Sequence, residues 1–302
     1  MLSPLNLKNR IMKKIVLPAL LAATLLVSCS DDENEIVGGV IRPITAKSSA
    51  FVAEIVEYKP APGQFINTSL GDAAAARSIV GSAKNGMVSL GGYGGYIIMG
   101  FDHSIINAGS AHDFAVYGNA YEGSSEPGIV MVSQDANGNG VADDAWYELA
   151  GSEHANAVKG YSIVYTNPKA AADVPWTDNK GASGAVLQNS FHAQEYFPLF
   201  LKDKETLSFT GTRLPDNKGT NSNGWVVLKA FAWGYADNFS AEYAEKGYNT
   251  FDIDWAVTAT GEKANLKAID FIKVYNGLNQ DGGQIGETST EIAGAADLAI
   301  LK

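Results

Sequence analysis

The sequence predicts an all-β protein, an antiparallel β-sandwich of jelly-roll type. Short apolar runs alternate with clusters of turn residues along most of the chain, which is the pattern typical of sandwiches. No repeat of fixed period is present, and this argues against a propeller or a solenoid. The hydrophobic fraction of 46% and the charged fraction of 18% are those of a globular protein.

The predicted strands are the apolar runs that turn signals bound. The first covers 51–58 and ends before Pro60 and Pro62, which lack the backbone N–H that a strand ladder needs. The segment 268–275 carries apolar residues on both faces, which favours a central position in its sheet. The other predicted strands are 96–101, 113–117, 128–133, 146–149, 161–165, 207–211 and 225–231.

One short helix is predicted near 71–82. Asp72 is a suitable N-cap, and the alanines that follow it have the highest helix propensity. The stretch 166–195 is interpreted as a long, turn-rich excursion from the sheets.

The N-terminus has the features of an export signal. Two lysines precede a short apolar run that ends at Leu26-Val27-Ser28-Cys29. This run is too short to cross about 30 Å of bilayer as a helix, and a basic start with a short apolar run is typical of a secretory signal. The ending resembles a bacterial lipobox, which implies cleavage before Cys29 and lipidation of its thiol. Cys29 is the only cysteine in the chain, so it has no disulfide partner. The alternative is an ordinary cleaved signal with an incidental cysteine.

Three parts of the chain follow from this interpretation. Residues 1–28 are the predicted signal peptide, and 1–11 are interpreted as a start-site extension because Met12 begins the basic stretch. Residues 29–50 are the lipidated cysteine and an acidic linker, and 51–302 form a single β-sandwich domain. The acidic run 31–35 resembles the surface-export signal of outer-membrane lipoproteins in gut anaerobes, which implies a location facing the cell exterior. The alternative is a plain flexible tether.

The charge of the chain limits its partners. A net charge of −11 argues against binding to nucleic acid or to anionic membrane surfaces, because both require clustered lysine and arginine. No second apolar stretch reaches the length of a membrane span, so membrane attachment is expected through the lipid anchor alone.

The segment 135–144 predicts a calcium-binding loop. Side chains with oxygen atoms stand at its first, third and fifth positions, and Gly140 at the sixth permits a sharp turn. The loop resembles those of EF-hand and dockerin type, but Trp146 stands where an EF-hand has its bidentate glutamate, so later acids such as Glu148 are alternative closing ligands. The flanking segments are predicted strands rather than helices. The alternative is an Asn-Gly-rich hairpin turn with solvated acids. The predicted ligands of a structural Ca²⁺ are Asp135, Asn137, Asn139, the backbone carbonyl of Val141, Asp143 and Asp144.

Aromatic residues in turns predict a second kind of site. Tyr93 and Tyr96 lie in a glycine-rich turn, and Trp176 lies close to Asp178. Rings on loops with polar neighbours suit stacking on a sugar ring or another flat ligand, and these four residues are the predicted ligand-binding set. The alternative assigns the rings to the core or corners of the sandwich, and this is favoured for Trp146, Trp225 and Trp255.

Signals of catalysis are weaker. The four histidines lack a zinc-binding spacing, and the chain has no Gly-x-Ser-x-Gly motif. Two pairs of carboxylates, Glu122 with Glu126 and Asp252 with Asp254, suit a glycoside hydrolase if the fold spaces them correctly. Such pairs are more often surface or capping groups.

Together, several segments resemble the cell-surface lipoproteins of gut anaerobes, some of which carry an added PKD-type domain. The resemblance also extends to galactose-binding-type jelly rolls. It implies an outer-membrane lipoprotein that binds a glycan or another nutrient such as a corrinoid, for uptake with a transporter complex or for adhesion. The alternative is a secreted polysaccharide hydrolase. The segments that carry the resemblance are 95–102, 113–119, 126–128, 135–144, 146–149, 174–179, 234–238 and 269–274.

Overall fold

Alternating side chains and glycine-rich turns give this chain a fold whose regular elements are mostly strands. The computed structural model describes residues 39–83, 85–109 and 111–302; the predicted signal, Cys29 and the acidic run lie outside them. The strands are β1 (Glu54–Lys59), β2 (Val88–Ser89), β3 (Tyr96–Ile106), β4 (Phe114–Tyr117), β5 (Gly128–Ser133), β6 (Trp146–Leu149), β7 (Val158–Thr166), β8 (Val174–Asp178), β9 (Ser183–Val186), β10 (Thr206–Arg213), β11 (Lys218–Thr220), β12 (Val226–Leu228), β13 (Asn249–Phe251), β14 (Ala256–Val257), β15 (Ala268–Asn276), β16 (Glu291–Ile292) and β17 (Gly294–Asp297).

The strands form antiparallel sheets, which confirms the predicted all-β sandwich. The largest sheet, called here the central sheet, has the order β1-β3-β15-β5-β6-β14. A second sheet, called here the side sheet, has the order β10-β7-β8-β9. The order β13-β4-β17 makes a third sheet, and β11 with β12 and β16 with β2 make two small pairs. As predicted, β15 is central, because β3 and β5 flank it.

One face of the central sheet carries the main core. Ile97 and Met99 of β3 and Ile272 and Val274 of β15 are fully buried there. They pack against apolar residues of the third sheet, among them Phe114. Because successive strand residues point to opposite faces, the residues between them project from the other face, which the side sheet partly covers.

The helices differ from the prediction. Helix α1 (Ala73–Ser78) is shorter than the predicted 71–82, although the Asp72 carboxylate caps it by accepting hydrogen bonds from Ala74 N and Ala75 N, both at 2.8 Å. It ends early because Gly81, at φ 79°, turns the chain back and donates from its N–H to the Val52 carbonyl at 2.8 Å.

A second helix, α2 (Ala241–Lys246), was not predicted. Its signals are in the sequence: Ser240 caps its first turn, and Gly247 ends it with a left-handed backbone at φ 76°. Short 3₁₀ turns lie at Leu199–Leu201, Ile253–Trp255 and Gly283–Ile285.

The segment 166–195, interpreted as a long, turn-rich excursion, contains two strands that were not predicted. Strands β8 and β9 lie in it and extend the side sheet, with Trp176 of β8 opposite Gly184 of β9. Val174 and Val186 are buried in the core of this sheet, while the residues between them alternate toward solvent. Burial of these few apolar residues orders a segment whose composition is that of a loop.

Residues 39–50, which fall in the predicted linker, contact the central sheet. Arg42 N donates to Ser104 Oγ at 2.9 Å, and Ser104 N donates to the Arg42 carbonyl at 3.0 Å. The Arg42 guanidinium donates to the buried carboxylate of Asp270 at 2.9 and 3.0 Å. The same carboxylate accepts from Ser104 Oγ at 2.6 Å and from Asp135 N at 2.8 Å. Asp270 therefore links the segment 39–50 to the start of the predicted calcium loop.

Candidate functional site

A cleft lies between the central sheet and the side sheet. Its volume is about 620 Å³. The face of the central sheet opposite the main core supplies one part of the lining, and β7, β10 and the loop after β14 supply the rest. The aromatic, charged and hydrogen-bonding side chains of the lining include Lys59, Tyr96, Trp146, Glu148, His154, Lys159, Phe209, Thr212, Lys273 and Tyr275.

Strand alternation puts these side chains in the cleft. Ile272 and Val274 of β15 lie in the main core, so Lys273 and Tyr275 project from the opposite face. In the same way, Ile97 of β3 enters the core and Tyr96 lines the cleft. Along each of these two strands, residues that face the core therefore alternate with residues that face the candidate site.

Four aromatic residues belong to the lining of the cleft. Tyr96 and Phe209 meet edge to face, with ring centroids 6.4 Å apart and planes at 89°. The buried Tyr275 accepts a hydrogen bond at its hydroxyl from Thr212 N at 3.0 Å, which fixes the ring. Trp146 of β6 is half-buried at another part of the lining. Rings held at the edge of a cavity provide apolar surface for a flat ligand.

Two lysines of the cleft lie over aromatic rings. The Lys273 ammonium lies 4.1 Å from the centroid of the Tyr96 ring, and that of Lys59 lies 5.6 Å from the centroid of Phe209. Both distances fall within the range of cation–π attraction. Burial lowers the pKa of Lys273, and the charge of Glu57 opposes that effect. Among the described residues, no carboxylate oxygen lies within 4.0 Å of either ammonium.

Glu148 is the only carboxylate among the described lining residues, and both of its oxygens are engaged. Its Oε1 accepts from Lys159 Nζ at 2.7 Å and lies 3.1 Å from His154 Nδ1. Its Oε2 accepts from Thr212 Oγ1 at 2.6 Å. Glu148 had been considered as a closing ligand of the calcium loop, but here it joins β6 to β7 and β10.

A second, smaller cavity of about 160 Å³ lies on the side sheet and holds two of the predicted ligand-binding residues. Tyr93 is buried in its lining, and the indole of Trp176 covers Gly184 across the β8–β9 pair. Glu287 also lines it: Oε1 accepts from Gln64 N at 2.6 Å, and Oε2 is buried without a hydrogen-bond partner among the described residues. Burial raises the pKa of Glu287 well above its ordinary value.

The structure does not gather the four predicted ligand-binding residues at one place. Tyr96 lines the large cleft, whereas Tyr93 and Trp176 line the small cavity. Asp178 accepts from the Tyr161 hydroxyl at 2.8 Å and from the amides of its own turn, so it holds the β8–β9 hairpin. The lysines of the cleft had been missed by sequence reasoning.

The predicted calcium loop joins β5 to β6, so it connects two paired strands as predicted. Asp135 is buried, and its carboxylate accepts from Asn139 N at 3.0 Å and Gly140 N at 2.8 Å. Asn139 Oδ1 accepts from Val141 N at 2.7 Å, and Asp144 accepts from Ala136 N at 3.0 Å. These are the contacts of a tight turn.

The predicted ligand atoms of the loop suit a hard cation, because they are all oxygen atoms of carboxylates, amides and the backbone. Asn137 Oδ1 also accepts from Asn139 N, at 2.9 Å, and Asp143 lies 3.3 Å from Asn139 Nδ2. The carboxylates keep further lone pairs beyond these hydrogen bonds. The calcium site therefore stays a prediction.

Three carboxylates, two of them buried and one half-buried, converge at one place. Sequence reasoning considered Glu126 only as a partner of Glu122 and missed its grouping with the other two. Oxygens of Glu126, Asp237 and Glu291, called here the carboxylate trio, all lie within 4.8 Å of one another. Asp237 adopts a left-handed backbone at φ 53° and accepts from Asn119 N at 3.0 Å and Glu291 N at 2.9 Å. Burial, and then the charges of the neighbouring acids, raise the pKa of Glu126 and that of Asp237 well above the ordinary values.

Comparison of the chain with models of protein families gives no match, and comparison with the curated proteins gives none either. Within the described residues, no helix is long and apolar enough to cross a membrane. The features that bear on function are therefore the geometry of the cleft and the sequence pattern of the N-terminus.

Proposed function

We propose that this chain is an exported binding protein whose cleft captures a glycan or another ring-bearing nutrient, such as a corrinoid. The observation that carries the proposal is the cleft of about 620 Å³, lined by Tyr96, Trp146, Phe209 and Tyr275. Its volume falls in the range of small-molecule sites, and apolar rings with a few polar groups are what such sites share.

The cleft favours binding over hydrolysis. A glycosidase needs two carboxyl groups, roughly 5–10 Å apart, on either side of the scissile bond. The described lining holds the single carboxylate of Glu148, which three polar neighbours already engage. Of the carboxylates considered for catalysis, Glu126 belongs to the interior trio, and Asp252 accepts from Asp254 N at 2.8 Å to cap a 3₁₀ turn.

The location that we propose is the outer membrane, with a lipid anchor on Cys29 and the domain facing the cell exterior. The lipobox at 26–29 and the acidic run at 31–35 support this proposal. A binding protein placed there would deliver its ligand to an outer-membrane transporter. We further propose that Ca²⁺ in the loop 135–144 stabilises the fold.

The anchor is tested by replacing its thiol. The full chain with Cys29→Ser should move from the membrane fraction to the soluble fraction. Cys29→Ser that stays with the membrane fraction places the attachment elsewhere.

The binding function is tested with that same soluble full chain on a glycan array and in a corrinoid pull-down. Tyr96→Ala removes a ring of the large cleft and should weaken binding about fivefold or more, since a stacked aromatic contributes about 1 kcal/mol. Trp176→Ala changes only the small cavity and should leave binding within about twofold. Thermal melts of both variants serve as the check of folding. The opposite ranking would move the ligand to the small cavity, and the absence of any ligand would reject the proposed function.

A further inference from the structure

The lysine and glutamate side chains of the cleft give it a positive charge, opposite in sign to the net charge of the chain. The net charge is −11, yet three lysines and one glutamate line the cleft. Lys159 is neutralised, because its ammonium donates to Glu148 at 2.7 Å. Lys59 and Lys273 remain, and no described carboxylate lies within 4.0 Å of their ammonium groups. Two positive charges are therefore left to the cleft.

Lys273 occupies an unusual place for a lysine. It lies on the central strand of the central sheet, directly between Ile98 of β3 and Met131 of β5. An ammonium there loses part of its hydration, and the half-buried side chain gains a cation–π contact with the Tyr96 ring in exchange. Glu57 is the acid whose charge acts on Lys273. Packing alone does not require the charge, since a methionine of similar length would fill the same space.

The rings lie directly beside these charges. Tyr96 contacts the Lys273 ammonium on its face and the Phe209 ring at its edge, and Lys59 lies over Phe209. A ligand that stacks on this surface therefore comes within reach of both ammonium groups. Attraction between opposite charges is stronger where neighbouring apolar groups exclude water.

We propose that the ligand of the cleft is an anionic saccharide, whose carboxylate or sulfate group binds Lys273 and Lys59 while a sugar ring stacks beside Tyr96. This inference rests on the proposed function, because it requires the cleft to be the binding site. It narrows the ligand class from nutrients in general to sugars that carry a negative charge.

The experiment measures binding by calorimetry with the soluble full-length Cys29→Ser chain. Three oligosaccharides of equal length are compared: one of uronic acids, one sulfated and one neutral. We expect at least one anionic oligosaccharide to bind tenfold or more tightly than the neutral one, with an affinity that falls as sodium chloride is added. Whichever of the two anions binds more tightly identifies the charged group.

Lys273→Met in the same chain keeps the length and apolar character of the side chain. It should weaken binding of the anionic oligosaccharide about tenfold and leave the neutral one unchanged. Lys180→Met, in the exposed β8–β9 turn, is the matched control and should change neither. Equal binding of neutral and anionic oligosaccharides, unaffected by Lys273→Met, would overturn the inference and leave the proposed function standing. Binding of none of the three, in a chain that also fails the glycan and corrinoid screens, rejects both.

Discussion

The cleft and the carboxylate trio hold unpaired charge of opposite sign in different surroundings. In the cleft, Lys59 and Lys273 lie beside a cavity that can admit an anion. In the interior, Glu126, Asp237 and Glu291 face one another, and no described lysine or arginine lies within 4.0 Å of them. The first arrangement leaves charge available for a partner, whereas the second can lower its energy by holding protons.

The two regions should respond to pH in opposite directions. Burial raises the pKa of the trio, so its contribution to stability is fully present below about 4.5 and is lost as the pH rises through the folded-state values. Burial lowers the pKa of Lys273, so its penalty is present at neutral pH and disappears as the pH rises toward 10.5. Substitutions in each region can therefore be told apart by their pH profiles.

A buried carboxylate that does have a cation should show the largest effect when it is removed. Asp270→Ala deletes the partner of Arg42 and leaves Ser104 Oγ and Asp135 N without their acceptor. We expect a loss of about 3–5 kcal/mol in the free energy of unfolding by urea, the range for breaking a buried ion pair. Glu205→Gln breaks the exposed pair with Lys169 and is the control, with an expected loss below about 1 kcal/mol. Equal losses in the two variants would contradict the expected difference between a buried carboxylate and an exposed one.

Calcium should produce the next largest effect and show which acidic region holds it. Binding to the folded state alone stabilises by about 2.7 kcal/mol at a hundredfold excess over Kd. The melting temperature should therefore rise with Ca²⁺ and fall with EDTA, and Asp135→Ala should abolish the response. Glu291→Gln, in the trio, should keep it. The reverse pattern would place the ion in the trio, and a melting temperature indifferent to both reagents would return the loop to an Asn-Gly hairpin.

Neutralising one acid of the trio should stabilise the protein at neutral pH. In Glu126→Gln, the amide oxygen can still accept from Ser289 N, as Glu126 Oε1 does at 3.1 Å, and its N–H can donate to Glu291. We expect a gain of about 1–3 kcal/mol at pH 7, the size of the penalty for an uncompensated buried polar group, and none at pH 4. Glu122→Gln, in the neighbouring turn, is the control. A loss of stability at pH 7 would show that the trio depends on its negative charge.

Local signals explain what the sequence could predict. The strand 268–275 and its central place were predicted because apolar residues occupy both of its faces, and the structure extends it by one residue. The position of the loop 135–144 between two strands was predicted for similar reasons. Strands β8 and β9 were missed because glycine, proline and polar residues surround the few apolar side chains that order them.

The candidate site was harder to predict, because its parts are far apart in sequence. Lys59, Lys159 and Lys273 meet only through the pairing of sheets, and no local pattern joins them. The same holds for the trio, whose members come from three distant turns and strands. One signal was present: Lys273 stands between apolar residues in a segment predicted to be central, where a charged side chain is unexpected.

The smallest expected effect is on the stability of the Lys273→Met variant, and its sign is what matters. The substitution removes a partly desolvated ammonium that forms no ion pair with any described carboxylate, although the charge of Glu57 acts on it. The methionine sulfur can keep a favourable contact with the Tyr96 ring. We expect a gain of about 0.5 kcal/mol in the free energy of unfolding at pH 7, which shrinks as the pH approaches 10.5. A residue that weakens the fold while serving a ligand is typical of a binding site. If Lys273→Met instead destabilises the protein at every pH, the lysine serves the packing of the central sheet, and the contrast between the cleft and the trio is lost.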